Sequence, residues 1–186
     1  ITVWTMLAPP SSGAGSSITA TSFTAGWMSS SGATNYLLDV ATDNGFTDIL
    51  AGYSDVVVGT ARSYPVAGLS AGTRYYFRVR AQGLGGTSGY SAAFTVVTIP
   101  PAPAALPATN VLATSIYANW SASTGAASYL LDVSTNSGFT SYVSGYQNLS
   151  VGNVQTRLVS GLTAGRTYYY RVRARNSSGL ASTNSE

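Results

Sequence analysis

The sequence predicts an all-β chain built as two antiparallel β-sandwiches in tandem, and three observations carry that prediction. Apolar and polar residues alternate at period two through several short segments, the mark of strands with one face buried. Those segments return, almost word for word, 93 residues further along the chain. Turn signals separate them (Ser31-Gly32, Asn44-Gly45, Gly68, Ala71-Gly72 and Gly85-Gly86), and no helical period competes. Short strands at this spacing in about 90 residues make a sandwich.

Taken in order, the first unit shows Phe23, Ala25 and Trp27 alternating with Thr24 and Gly26. Tyr36, Leu38 and Val40 then alternate with Leu37 and Asp39. A third segment sets Tyr75, Phe77, Val79 and Ala81 against Tyr76, Arg78 and Arg80, and Phe94-Thr-Val-Val-Thr98 supplies a last strand. In the second unit Tyr36-Leu-Leu-Asp-Val40 returns as Tyr129-Leu-Leu-Asp-Val133, and Gly45-Phe-Thr47 as Gly138-Phe-Thr140. Gly52-Tyr53 returns as Gly145-Tyr146, and Tyr75-Tyr-Phe-Arg-Val-Arg-Ala81 as Tyr168-Tyr-Tyr-Arg-Val-Arg-Ala174. Laid over itself at this shift the chain needs no gaps, so the two units share one fold.

Each unit resembles a fibronectin type III domain over essentially its whole length, in the wording typical of bacterial secreted and surface proteins. Trp27 and Trp120 match the tryptophan of the family's second strand, and Tyr36 and Tyr129 the tyrosine of its third. The run Leu69-Ser-Ala-Gly-Thr-Arg-Tyr75 and its partner Leu162-Thr-Ala-Gly-Arg-Thr-Tyr168 match the approach to the sixth strand. The resemblance implies an immunoglobulin-like sandwich in which Tyr75 and Tyr168 form tyrosine corners, their hydroxyls bonded to the preceding turn.

Within this frame the chain reads as a strand segment (1–6), a first domain (7–98), a Pro/Ala-rich linker (99–107) and a second domain (108–186). The linker is expected to be extended and semi-rigid. The second domain lacks a counterpart of Phe94–Thr98, whereas Ile1-Thr2-Val3-Trp4-Thr5 has the character of such a strand and aligns with it at the same shift. Without its last strand a sandwich exposes unpaired backbone groups and open core. Ile1–Thr5 is therefore expected to complete the second domain of a neighbouring subunit or repeat. Ile1 and Val3 would face in, giving a head-to-tail homopolymer or a continuous array. Trp4 falls on the outer face, where it either seals a subunit contact or packs against its own sheet.

Composition narrows the function. Charged residues are only 8% of the chain while hydrophobic ones are 45%, so the surface is made of Ser, Thr, Asn and Gly. That suits an extracellular or cell-surface structural protein. There is no Cys and no His, which removes thiol and imidazole nucleophile chemistry and the commonest zinc ligands. Few acids remain for paired-carboxylate chemistry on a flat sandwich. An enzyme is not expected, nor a cofactor. No apolar stretch reaches the roughly 18 residues of a membrane span. All nine cations are Arg, and several recur at equivalent strand positions, which speaks for a structural role over a nucleic-acid surface.

Arg78, Arg80, Arg171 and Arg173, beside Asp39 and Asp132, are expected to form solvent-facing cross-strand ion pairs, the alternative being a site for a glycan or a cell-surface ligand. Asp43-Asn44-Gly45 resembles a fragment of a calcium loop, without the remaining ligands. Asn148 and Asn176 are candidate glycosylation acceptors, and Asn119, beside Trp120, the poorest of the three matching sites. The expected role is a filament, matrix or stalk subunit. The alternative is a spacer, or a carbohydrate- or protein-binding module, of a larger secreted enzyme or adhesin.

Overall fold

The computed structural model describes all 186 residues, Ile1–Glu186, as fourteen strands and no helix. The chain divides into two compact units, the first holding Ile1–Ser70 and Arg74–Thr98 and the second Ile99–Glu186 with the short piece Ala71–Thr73.

In the first domain β1 (Gly13–Ser16), β2 (Ser22–Trp27) and β5 (Ser63–Ala67) form one antiparallel sheet in the order β1-β2-β5. The facing sheet is built on β3 (Asn35–Ala41) and β6 (Arg74–Gly83). It adds β4 (Val56–Gly59) beside β3, and β7 (Gly86–Thr87) and β8 (Phe94–Val97) beside β6. The predicted alternation is the observed one: Phe23, Ala25 and Trp27, Tyr36, Leu38 and Val40, and Tyr75, Phe77, Val79 and Ala81 are all buried in one core. Val96 of β8 closes it. Here β1 runs so near β8 that a Cβ on Gly15 would lie 2.4 Å from a Val96 methyl carbon, so this strand needs glycine for closeness.

The second domain repeats the plan with β9 (Ala105–Thr109), β10 (Ser115–Trp120) and β13 (Thr156–Ser160) in one sheet. The other holds β11 (Ser128–Ser134), β12 (Leu149–Ser150) and β14 (Tyr169–Arg175). Its core gathers Trp120, Tyr129, Leu131, Val133, Val159 and Val172. The segment read as linker, 99–107, gives its last residues to β9. Ser121 N donates to Ala104 O and Ser123 Oγ to Pro101 O, so the second domain begins earlier than the sequence suggested.

No strand in this domain corresponds to β8. After β14 the chain makes a single bridge, Arg175 to Ala181, and two further backbone bonds, Ser182 N to Ala174 O and Ser185 N to Val172 O, both 2.8 Å. The matching bonds in the first domain are Ser88 N to Ala81 O and Ser91 N to Val79 O. Ser88 thus corresponds to Ser182 and Ser91 to Ser185, a shift one residue longer than the 93 that relates the strands. The repeat therefore has a one-residue insertion in the turn after β14, and the gap-free alignment does not hold there.

Candidate functional site

The chemistry-bearing side chains of the first domain converge on the outer face of β3 and β6. Asp39 and Arg78 are direct cross-strand partners, and alternation carries Arg80 to the same face two residues on. The sequence expectation of a solvent-facing ion pair is corrected here: Asp39 is 2% exposed. Its Oδ2 receives Arg78 Nε at 2.9 Å and its Oδ1 the backbone N–H of Asp55 at 2.7 Å. Asp55 in turn pairs with Arg80, which holds the guanidinium pKa above its ordinary value chiefly through that hydrogen bond.

What covers the carboxylate is aromatic. The Arg78 guanidinium carbon sits 4.1 Å from the centroid of Phe46 and 3.5 Å from that of Tyr90, and Arg80 lies 4.6 Å from Tyr90. Phe46 reaches this position with φ of 55°, a left-handed backbone unusual for a bulky residue. The second domain repeats the strain and the contact, with Phe139 at φ 53° and Arg171 4.2 Å from its ring. Arg171 Nε bonds Asp132 at 2.9 Å, and Asn148 takes the place of Asp55 beside Arg173. The recurring Gly-Phe-Thr wording is therefore the lid of a buried ion pair. Its signal in the sequence was recurrence alone, because a lone phenylalanine in a turn has no periodicity to read.

Asp43 organises the loop that carries Phe46. Its carboxylate accepts backbone N–H bonds from Gly45, Thr47 and Asp48 at 2.8–2.9 Å, and its pKa lies below the ordinary carboxylate value, chiefly through the Asp48 bond. Both oxygens serve the loop's own amides, so the calcium-like wording has a structural reading. In the second domain Asn136 does a similar task with Thr140.

Ile1–Thr5 belongs to no sheet. Ile1, Val3 and Trp4 are exposed, Trp4 at 59%, and only Leu7 packs against the first core. In the second domain, the edge that β8 covers on β6 is bare. β14 begins at Tyr169, whereas β6 begins at Arg74, the counterpart of Thr167. Tyr168 and Tyr170 are part-exposed where Tyr75 and Phe77 are buried. β9 leans toward the space, with a register shift around Pro107 and the Tyr170 hydroxyl bonded to Leu106 O.

Of the candidate acceptors, Asn148 is exposed. Asn176 is not: it is 3% exposed, and its side-chain oxygen accepts the N–H groups of Ser178 and Leu180, so burial corrects the expectation of an accessible acceptor. The Asn119 amide is committed to Pro107 O and Thr109 Oγ1, fastening the β9 irregularity.

Comparison with known proteins agrees with this geometry. The fibronectin type III domain family matches residues 8–97 and 101–186. Exoglucanase B of Cellulomonas fimi is 33% identical over 181 residues, covering 90% of this chain. The chain spans only 15% of that relative's length. Among solved structures, a two-domain fibronectin type III segment of chicken tenascin is similar at a TM-score of 0.50 and 17% identity, covering 95% of each chain. The FN1–FN3 domains of chicken CNTN1 give 0.49 and 18%, covering 96% of this chain and 66% of that one.

Proposed function

The chain belongs to the fibronectin type III family in both of its domains, and from that premise we propose that it is a non-catalytic spacer of a larger extracellular protein. The carrying observation is that both domains commit the same charged groups to the same internal network, Asp39 with Arg78 and Asp132 with Arg171. Groups held for architecture in duplicate are not poised for turnover. The relative supports the reading, since the matching stretch is a small share of an exoglucanase. An accessory position in a secreted polysaccharide-acting enzyme, or in an adhesin, follows as the setting. Joining this chain to a glucanase catalytic domain and varying the number of units tests it. Catalysis on a soluble substrate should stay constant while action on an insoluble one changes with spacer length. Hydrolysis by the 186-residue chain alone would overturn the reading.

A second reading is favoured by the bare edge of β14. In it, Ile1–Thr5 is the last strand of a sandwich of the second kind and completes that domain in a neighbouring copy or repeat, building a filament or stalk. The edge offers unpaired backbone groups beside Tyr168 and Tyr170, and an added strand would satisfy them. Burial favours the frame with Ile1 and Val3 inward, each worth roughly 1.5–3 kcal/mol when fully buried. The frame shifted by one residue would place Thr2 where the first domain has Phe94. A peptide of residues 1–6 should raise the melting temperature of the second domain, and deletion of those residues should reduce self-association. An unmoved melting temperature together with unchanged association excludes it.

A further inference from the structure

We propose that the outer face of β11 and β14, in the second domain, binds a carboxylate-bearing polysaccharide through Arg173 and Arg175. The choice of a polysaccharide rests on the reading of the chain as a spacer of an extracellular protein, whereas the cationic site stands on geometry and charge.

The two domains do not share the charge of the chain. The first sets four arginines against four aspartates, and the second sets five arginines against Asp132 and Glu186. The whole net charge of +3 therefore lies in the second domain. Three of its arginines, Arg171, Arg173 and Arg175, alternate along β14 and so share its outer face, about 7 Å from one to the next. Opposite them on β11 stand Asp132, Leu130 and Ser128, and Asp132 is the one carboxylate of these two strands. It is already engaged. Its Oδ1 accepts the Asn148 N–H at 2.6 Å, and its Oδ2 accepts Arg171 Nε at 2.9 Å and Arg173 Nη2 at 3.5 Å. Arg171 is held further by Phe139 and Tyr142 and takes no part in the site. Arg175 gives its Nε to a neutral carbonyl, Gly179 O, at 3.2 Å.

The first domain shows what is missing. Arg80, the counterpart of Arg173, pairs with Asp55. At Arg173 the same place is filled by Asn148, whose amide oxygen accepts the bond without bringing a charge. Arg175 stands where the first domain has Gln82, which receives a bond from Asn35 at 2.7 Å. The differences at these matching positions, Asn148 for Asp55 and Arg175 for Gln82, each make the face more positive by a full charge.

That charge is within reach of a ligand: Arg173 keeps 24% of its side chain exposed, and Asn148 beside it is exposed. A guanidinium fork that meets a carboxylate in the first domain selects a carboxylate in the second. Around it the face carries hydroxyls and an amide, Ser128 opposite Arg175, Ser150 opposite Leu130, and Asn148. These donate to and accept from the hydroxyl groups of a sugar chain. A polyuronate offers both features, a carboxylate and hydroxyls on every residue.

Affinity electrophoresis of the 186-residue chain tests this in gels holding polygalacturonate or alginate. Hydroxyethylcellulose serves as the uncharged comparison, and polyglutamate as an acidic polymer without hydroxyls. Retardation is expected in a polyuronate gel, and it should fade as salt rises past about 0.1 M, where charges more than about 10 Å apart are screened. Arg173→Gln and Arg175→Gln should each weaken it about five- to tenfold, the scale of one hydrogen bond to a charged group. Arg157→Gln, which removes the same charge from β13 in the other sheet, should leave it within about twofold. Asn148→Asp gives Arg173 the partner that Arg80 has, and should weaken retardation as much as Arg173→Gln. Should an arginine variant fail to fold, Asn148→Asp decides: unchanged retardation counts against the site. Retardation in neither polyuronate gel, equal weakening by Arg157→Gln, or equal or stronger retardation in polyglutamate overturns the proposal. Release of reducing ends, read on the same samples, would instead overturn the spacer reading, so the two failures are told apart.

Discussion

The carboxylate of Asp39 is held 2.9 Å from Arg78 Nε on a residue only 2% exposed, and Asp132 repeats the pair with Arg171 at 2.9 Å and 1% exposure. An exposed pair contributes little, but removing one partner of a buried pair leaves the other charge uncompensated. Asp39→Asn keeps the shape and leaves Arg78 without its counter-charge. Because the Arg78 side chain retains 19% exposure, the loss should fall at the lower end for buried pairs, about 3 kcal/mol. Urea denaturation of Asp39→Asn and Asp132→Asn reads it. A loss under about 1 kcal/mol in both would place the pairs with ordinary surface ones.

Phe46 holds a left-handed backbone to keep its ring on Arg78, so the strain must be offset by that contact. Phe46→Ala removes the contact and keeps the unfavourable φ, and should cost about 1–2 kcal/mol. Phe46→Gly should be less destabilising than Phe46→Ala, because glycine relaxes the backbone. The reverse order in thermal melts would mean that the left-handed backbone at residue 46 carries no strain for glycine to relieve.

The strands were legible because burial at period two leaves a mark in the sequence: Phe23, Ala25 and Trp27 predicted as inward are buried. The depth of Asp39 was not, since its neighbours in sequence say only that it points away from the core. What buries it is Phe46, which arrives from a turn, and Tyr90, which arrives from after β6. Contacts made across turns have no period. The same limit explains Asn176, whose pattern suggested an exposed loop but whose side-chain oxygen caps the tight turn of Ser178 and Leu180. It also explains the frame after β14, where one inserted residue breaks the 93-residue shift without disturbing either core.

Asp43 gives its loop in the first domain a pH response that the matching loop around Asn136 lacks. Its pKa is depressed in the fold by the N–H groups of Asp48, Thr47 and Gly45. A depressed carboxylate stabilises the folded loop fully above its unfolded pKa, about 3.9, and loses that contribution as pH falls through the lower folded value. Amide exchange at Thr47 and Asp48 should therefore lose protection as the solution is acidified below about pH 4. Thr140, which bonds the uncharged Asn136, should not follow. Parallel loss at both loops would assign the effect to general acid unfolding.

The two tyrosine corners should differ in worth because one is sealed by β8 and the other lies beside the bare edge. Tyr75 Oη accepts the Ser70 N–H at 2.9 Å on a residue 3% exposed, and Tyr168 Oη accepts the Thr163 N–H at the same distance on a part-exposed one. Tyr75→Phe leaves the Ser70 N–H of a part-buried bond without its partner and should cost about 1–2 kcal/mol. After Tyr168→Phe water can reach the Thr163 amide, so the cost should stay near that of an ordinary hydrogen bond, about 0.5–1 kcal/mol. If a strand of residues 1–6 closes the edge, adding that peptide should raise the Tyr168→Phe penalty toward the Tyr75 value. Equal penalties without peptide would show that the open edge leaves this corner as dry as its counterpart.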